Sequence, residues 1–337
     1  MKYKLRVGSI VLFVALVLFV AIVPRVLSGY SMNVMNVSLM FAIVAYGISI
    51  MLGMGGQLIF SSVSFMGAGA YFIANMCTDR MGVNMPPLLA LLLTPAIFAL
   101  VAFGVGLLLF KLRGSYFTFS TIALVQVAYT FYNNYKPLFG GADGISGIPT
   151  LTLFGHKLTS YNQWFYVLIF FVVVVALLVE RIRRTQLGRS LASIRDNETA
   201  ALTLGVNVYM TKVIAFTIAG ALASFAGALW CMHGKFVGAD MFNYANAAQF
   251  IIMAMLGGVN STVGILVGSI LVKVLPELLR SVQAYMQLFW GVSIVLLMVF
   301  MPEGLAGLYG RIKARVHHKI KINNAGKGQT NETDPQA

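Results

Sequence analysis

The sequence predicts an all-α integral membrane protein of about ten spanning helices, or eight plus a re-entrant hairpin, and three observations carry that expectation. Hydrophobic residues make up 59% of the 337 residues and charged residues only 10%, against about 25% charged in a soluble domain. A water-soluble fold cannot bury that much apolar surface, so lipid is the natural solvent. Apolar runs of spanning length recur along the chain: at about 1.5 Å per residue, some 20 residues cross a hydrocarbon core about 30 Å thick. The basic residues gather at alternate connections between these runs. No polar linker divides the chain, so it reads as one transmembrane domain over 1–310, followed by a basic and then polar tail over 311–337. That tail is expected to be partly disordered.

The candidate spans fall near 8–27, 34–54, 57–77, 87–110, 115–133, 161–179, 212–232, 246–259, 262–278 and 284–301. The first follows Lys2, Lys4 and Arg6 as a signal peptide would. Its apolar run exceeds a signal core of about 7–15 residues, so it reads as a retained helix. The runs at 246–259 and 262–278 are short and broken by Gly257, Gly258 and Gly264. They form either a tight hairpin or a re-entrant element, and both choices leave the chain ends on one side.

Orientation follows from charge. Lys2, Lys4 and Arg6 open the chain, and Lys111 and Arg113 separate the fourth and fifth spans. Arg181, Arg183, Arg184, Arg189, Arg195 and Lys212 lie between the sixth and seventh, and Arg311, Lys313, Arg315, Lys319, Lys321 and Lys327 follow the last. All of these, 17 of the 24 basic residues, fall on one side of an alternating topology. Cytoplasmic loops are the ones enriched in Lys and Arg, which places both termini in the cytoplasm and the 133–160 loop outside. The net charge of +14 has the same origin. No basic patch with interleaved aromatics points to nucleic acid.

Enzymatic signatures are missing. The sequence has no G-x-x-x-x-G-K-S/T phosphate loop, no H-E-x-x-H, no C-x-x-C and no nucleophile elbow. Cys77 and Cys231 lie inside apolar runs, and His156, His233, His317 and His318 form no ligand set, so no metal site is expected. Lys273 and Glu277, four apart near a span end, read as a snorkelling pair at the interface or as an ion-coupling site.

Four segments hold features beyond hydropathy. Gly53 to Tyr71, GMGGQLIFSSVSFMGAGAY, combines Gly53, Gly55, Gly56, Gly67 and Gly69 with Gln57, Ser61, Ser62 and Ser64. Such a run either packs helices closely or breaks one, and a broken helix must turn its freed backbone groups to protein or water. The amide and hydroxyls can then bind a polar solute without a buried charge. In the seventh span Ala215, Ala219, Ala223 and Gly227 recur every four residues, a small-residue packing face. The 180–211 loop places Leu187, Leu191 and Ile194 at helical spacing. A second short helix is expected from an Asp196 or Asn197 cap, with Glu198 in its first turn and Gly205 at its end. This loop is either a docking surface for a partner or a solvated connection. Gly140 to Pro149, GGADGISGIP, is turn chemistry, and Asp143 reads as a turn residue before it reads as a solute ligand.

In this order the segments resemble one family, the permease subunits of ABC importers for branched-chain amino acids, of the LivM type. The similarity runs from about Val34 to Gly304 and is strongest at LGRSLASIRDNETAALTLG. There Gly188, Arg189, Ile194, Arg195, Glu198, Ala200, Ala201 and Gly205 match a family block G-R-A-x-x-A-I-R-x-D/N-E-x-A-A-x-x-x-G. RGSYFTFSTIAL, which contains Tyr116 and Thr121, and LGGVNSTVG are similar to further family motifs. The resemblance implies that the loop docks ATPases and that two such subunits bind the ATP and magnesium. It also implies a second permease subunit, an extracytoplasmic solute-binding protein and a place in the bacterial plasma membrane. No cofactor is expected in this chain. Gln57, Ser61, Ser62, Ser64, Tyr116 and Thr121 are the candidate solute path. One departure bears on the solute: where the family commonly has S-L-G-H, this chain has Ile59, Phe60, Ser61 and Ser62. Urea, short amides, sugars or nucleosides stand beside branched-chain amino acids as candidates, and an ion-coupled carrier is the distant alternative.

Overall fold

A computed structural model describes residues 29–112, 114–153 and 155–278, together with 20, 22–27, 288 and 292. Most of the first and last predicted spans, and the polar tail, lie outside the described residues. The helices are α1 (Gly29–Ser49), α2 (Ser62–Met76), α3 (Pro87–Leu109), α4 (Ser115–Asn134), α5 (Lys136–Phe139) and α6 (Tyr161–Arg184). They continue as α7 (Gln186–Asp196), α8 (Glu198–Thr203), α9 (Val208–Gly234), α10 (Tyr244–Gly257) and α11 (Thr262–Leu278). Between α4 and α6 and after α9 the chain forms two small antiparallel ribbons. Ile145–Ser146 pairs with Phe236–Val237, and Thr152–Leu153 pairs with His156–Lys157.

Four helices among the described residues are long and apolar enough to span a membrane: Gly29–Met54, Pro87–Leu109, Tyr161–Arg184 and Val208–Gly234. Their burial sets the architecture. In their most apolar 18-residue stretches, 89% of residues are buried in Gly29–Met54, at the middle of the bundle, and only 22% in Pro87–Leu109, which turns most of its leucines outward. α9 packs on α1, α2 and α3, while α1 also meets α6, α10 and α11.

Glycine governs how closely these helices approach. A Cβ on Gly227 of α9 would overlap the Met66 carbonyl of α2, and one on Gly69 of α2 would overlap the Ser224 carbonyl of α9. The two backbones therefore touch, which only small residues permit. The hairpin of α10 and α11 is closed in the same way, with Gly257 and Gly264 each against the other's carbonyl. α10 has 14 residues, about 21 Å at about 1.5 Å per residue, so it falls short of an average hydrocarbon core. Ile265 donates its N–H to the Ser261 carbonyl at 2.9 Å and so opens α11.

The predicted span at 57–77 starts later than the sequence suggested. α1 widens into a π-helical turn over Ile50–Met54 and stops. Gly56 takes φ +65°, and the N–H groups of Gly56 and Gln57 return to Leu52 and Met51 at 3.1 and 3.0 Å. This is a glycine helix stop. The chain is irregular to Ser61, and α2 begins at Ser62. Hydropathy could not see the break, because Leu58, Ile59 and Phe60 are as apolar as a helix interior.

Candidate functional site

The break after α1 lies against the segment that the sequence singled out for docking. α6 ends in Arg181, Arg183 and Arg184, with Arg183 and Arg184 ion-paired to Glu180 at 2.9 and 2.8 Å. The chain then turns sharply, because Gly188 lets α7 pack on the Ile182 and Arg183 backbone. α7 buries Leu191 and Ile194 and half-buries Leu187, so the predicted apolar face points into the protein. Asn197 caps α8 by accepting the Ala200 N–H at 3.0 Å. Glu198 sits in the first turn of α8, and Gly205 at φ +79° follows its end. Ala201, Ile194 and Val208 form a small separate core that ties α7, α8 and α9 together.

Two polar contacts join this unit to the bundle. Lys212, at the start of α9, donates to Glu198 at 2.8 Å. Arg195 donates from Nη1 to the Gly53 carbonyl at 2.6 Å, and a Cβ on Gly56 would meet its Cγ at 2.7 Å. The arginine stem therefore lies on the helix stop while its guanidinium holds a carbonyl of the π-helical turn. Gly53 in turn packs on the α10–α11 connection, where a Cβ would meet the Val259 carbonyl at 2.5 Å and Asn260 Oδ1 at 3.1 Å. The 180–211 loop, the break in α1 and the α10–α11 turn thus meet at one joint.

The matched block therefore splits by location. Gly188, Ile194 and Ala201 are buried, and Arg195 and Glu198 face the bundle through their bonds. Arg189 is exposed and donates to the Arg184 carbonyl at 2.9 Å. Ala200 and Gly205 are exposed. Leu202 and Leu204, 57% and 78% exposed, complete an apolar tip that sequence reading missed. Their helical phase relative to Leu191 and Ile194 gave no signal, because α7 and α8 are separate helices. The Arg195–Gly53 contact joins residues 142 apart and had no sequence trace either.

The candidate solute-path residues divide in the same way. Ser61, Ser62 and Ser64 are buried, and their hydroxyls make no hydrogen bond in the structure. Thr121 is buried beside them, accepting the Phe60 N–H at 3.3 Å and donating to the Thr118 carbonyl at 2.7 Å. Gln57 is half-buried in the irregular segment. Tyr116 is elsewhere: it is 75% exposed on the outer face of α4. Ala215, Ala219 and Ala223 are buried along α9, with Ala219 against Gly47 of α1 and Gly227 against α2. The small residues thus serve two neighbours.

At the opposite end of the bundle, Asn36 donates to the Tyr161 carbonyl at 2.9 Å and lies 3.4 Å from the His233 ring. Glu277 accepts from Tyr30 at 2.8 Å, and Lys273 Nζ sits 4.3 Å from the Phe41 ring centroid. A cation over an aromatic face is a stabilising pair. Asp143 is exposed in a turn whose glycines, Gly140, Gly141 and Gly144, all have positive φ. No cluster of three metal-ligating side chains exists among the described residues.

A bundle of long apolar helices closed by glycine contacts, its central helix stopped at a joint with an amphipathic loop, is a membrane domain. The family model described as branched-chain amino acid transport system / permease component matches residues 30–302, and the chain belongs to that family. It is 28% identical to the high-affinity branched-chain amino acid transport system permease protein LivM of Escherichia coli (strain K12), over 94% of this chain and 78% of that protein. The LivM protein of Salmonella typhimurium is 29% identical, over 87% of this chain and 74% of its own. The fructose import permease protein FrcC of Rhizobium meliloti is 26% identical, over 68% and 62%. No solved structure matches the chain. This is a membrane protein and an ABC-type transport subunit.

Proposed function

We propose that the chain is one of two permease subunits in an ATP-driven importer of the bacterial plasma membrane, that it carries branched-chain amino acids, and that both its termini are cytoplasmic. Two ATPase subunits bind ATP and magnesium and dock on the α7–α8 unit, and an extracytoplasmic binding protein delivers the solute. The observation that carries this reading is the exposed apolar tip of Ala200, Leu202 and Leu204, on a unit bonded directly to the break in α1. Large apolar side chains left in water at the end of a basic loop mark a protein interface. ATPase closure moves α7, and Arg195 passes that movement to the Gly53 carbonyl and so to the α10–α11 turn. Switching needs only a difference in packing between two states. Gln57, Ser61, Ser62, Ser64 and Thr121 supply hydroxyl and amide groups to the solute on its way past the break.

The test is uptake of radiolabelled leucine by cells that carry the whole system. Ala200→Glu should lower uptake more than tenfold while the chain stays in the membrane at wild-type amount. Unchanged uptake sinks the docking assignment. Ala201 is unsuitable for this test, because a charge there enters the small core of Ile194 and Val208. A second reading, import of a sugar or short amide, is supported by the likeness to FrcC and by the altered Ile59 to Ser62 patch. Competition of leucine uptake by fructose or urea separates the two.

A further inference from the structure

The outward face of α6 changes chemistry at one end. From Tyr166 to Leu178 every exposed residue is aromatic or aliphatic: Tyr166, Phe170, Val174, Leu177 and Leu178. The same face continues, at steps of three and four, into Arg181 and Arg184, which are exposed as well. Tyr161, where α6 starts, and Arg181 are separated by about 30 Å of helix, the thickness of a hydrocarbon core. The apolar face therefore ends where hydrocarbon ends, and the arginines begin at the level of lipid phosphates. The fold then adds a further charge. Gly188 lets α7 turn back on the Ile182 and Arg183 backbone, and Arg189, also exposed, donates to the Arg184 carbonyl at 2.9 Å. Glu180 is the acid at this end, and both its oxygens are engaged, one by Arg183 at 2.9 Å and one by Arg184 at 2.8 Å. Arg181 has no hydrogen bond or ion pair among the described residues. Four arginines, Arg181, Arg183, Arg184 and Arg189, against the one carboxylate leave a net charge of +3.

We infer that this arginine collar binds the phosphodiester headgroup of an anionic membrane lipid, with the acyl chains laid along Leu177, Val174 and Phe170. A planar guanidinium meets a phosphate through two parallel N–H donors. Arg181 and Arg184, one turn apart on one face, reach the same phosphate together. Arg189 adds its charge beside them while its bond to the helix end holds it in place. The net charge selects the lipid class. A zwitterionic headgroup would bring an ammonium into a field of its own sign, whereas an acidic headgroup without an amine is attracted at every arginine. The orientation proposed above places the collar in the cytoplasmic leaflet, but the binding itself needs only a membrane.

The test counts lipid. The full chain with its partners is extracted from native membranes in mild detergent, and the lipids that survive extended washing are identified by mass spectrometry. The wild type should retain an acidic phospholipid above its share of the membrane. Arg181→Gln, which breaks no bond within the protein, should lower that retention about fivefold. Arg181→Gln combined with Arg184→Gln should abolish the enrichment. Lys111→Gln, beyond the end of α3, removes one exposed positive charge elsewhere and should leave retention at the wild-type level. Equal retention in the wild type and the double variant overturns the site. An equal loss in Lys111→Gln overturns it too, since bulk charge would then explain the lipid. Unchanged lipid with loss of the co-purifying subunits would give the collar to a protein partner instead. None of these readings requires transport, so an absence of leucine uptake would refute the substrate assignment and leave the lipid site standing.

Discussion

The α2–α9 seam and the α7–α8 unit hold the same bundle by opposite means. At the seam, Gly69 and Gly227 bring two backbones into contact, and neither position has room for one added carbon. The α7–α8 unit meets the α6 backbone at Gly188, but is held to the rest of the bundle by side chains: Leu191 in the main core, a small core of Ile194, Ala201 and Val208, and two bonds, Arg195 to Gly53 and Lys212 to Glu198. Backbone contact fixes a distance, because interiors are close-packed and resist deformation. A guanidinium on a carbonyl fixes a direction of pull while the side chain can re-aim. The seam is therefore built to stay, and the joint to transmit movement.

The comparison breaks first at the seam. Gly227→Leu should abolish folded protein, since a Cβ alone already overlaps the Met66 carbonyl. Even Gly227→Ala forces α2 and α9 apart, and overpacking of this kind costs about 1–3 kcal/mol. Size-exclusion of detergent-extracted protein would show the Leu variant aggregated and the Ala variant reduced in amount. A monodisperse Leu variant at wild-type level would mean that the seam can open. Next in size is Gly56→Ala. Its left-handed φ of +65° costs a non-glycine residue about 1–2 kcal/mol, and the new Cβ meets the Arg195 stem at 2.7 Å. This variant should lower both thermal stability and uptake, because it strikes the helix stop and the joint together.

The seam was far more legible in the sequence than the joint. The four long apolar helices of the described residues follow from hydropathy, and Ala215, Ala219, Ala223 and Gly227 announced a packing face through their spacing. Asn197, Glu198 and Gly205 announced a short capped helix because caps are local chemistry. The break before Ser62 was half legible: the glycines of the Gly53 to Tyr71 run offered a broken helix, but its extent was hidden because Leu58, Ile59 and Phe60 are apolar. The Arg195–Gly53 bond was hidden for a related reason: basic residues were read as a group that sets orientation, and charge counting does not separate an arginine that bonds across the fold from its neighbours.

Arg195→Ala sharpens the comparison from the joint. A hydrogen bond to a charged group contributes about 1.5–3 kcal/mol, and this one is near the surface, where water can replace the donor. The thermal transition should shift by only a few degrees, whereas leucine uptake should fall several-fold with ATP hydrolysis retained. Arg195→Lys keeps the charge and one donor and should recover part of the uptake. Equal loss of stability and uptake in both variants would make Arg195 a structural tie and nothing more.

The smallest effects belong to the Glu198–Lys212 pair, and they should be unequal. The Lys212 side chain is 10% exposed and that of Glu198 is 52% exposed. Removing the lysine, as in Lys212→Met, leaves a carboxylate already half in water at the first turn of α8, where the helix dipole favours it. The methionine keeps the apolar stem in its place, so the change should stay within about 0.5 kcal/mol, as for exposed pairs. Removing the acid, as in Glu198→Gln, strands a nearly buried ammonium, and the uncompensated charge is the expensive half of a broken pair. Its cost should reach about 1–2 kcal/mol, the order of one unsatisfied buried group. Thermal melts of the two variants in the same detergent decide it. A larger loss in Lys212→Met would place the pair's strain at the acid, and would mean that α8 needs the lysine to stay docked on α9.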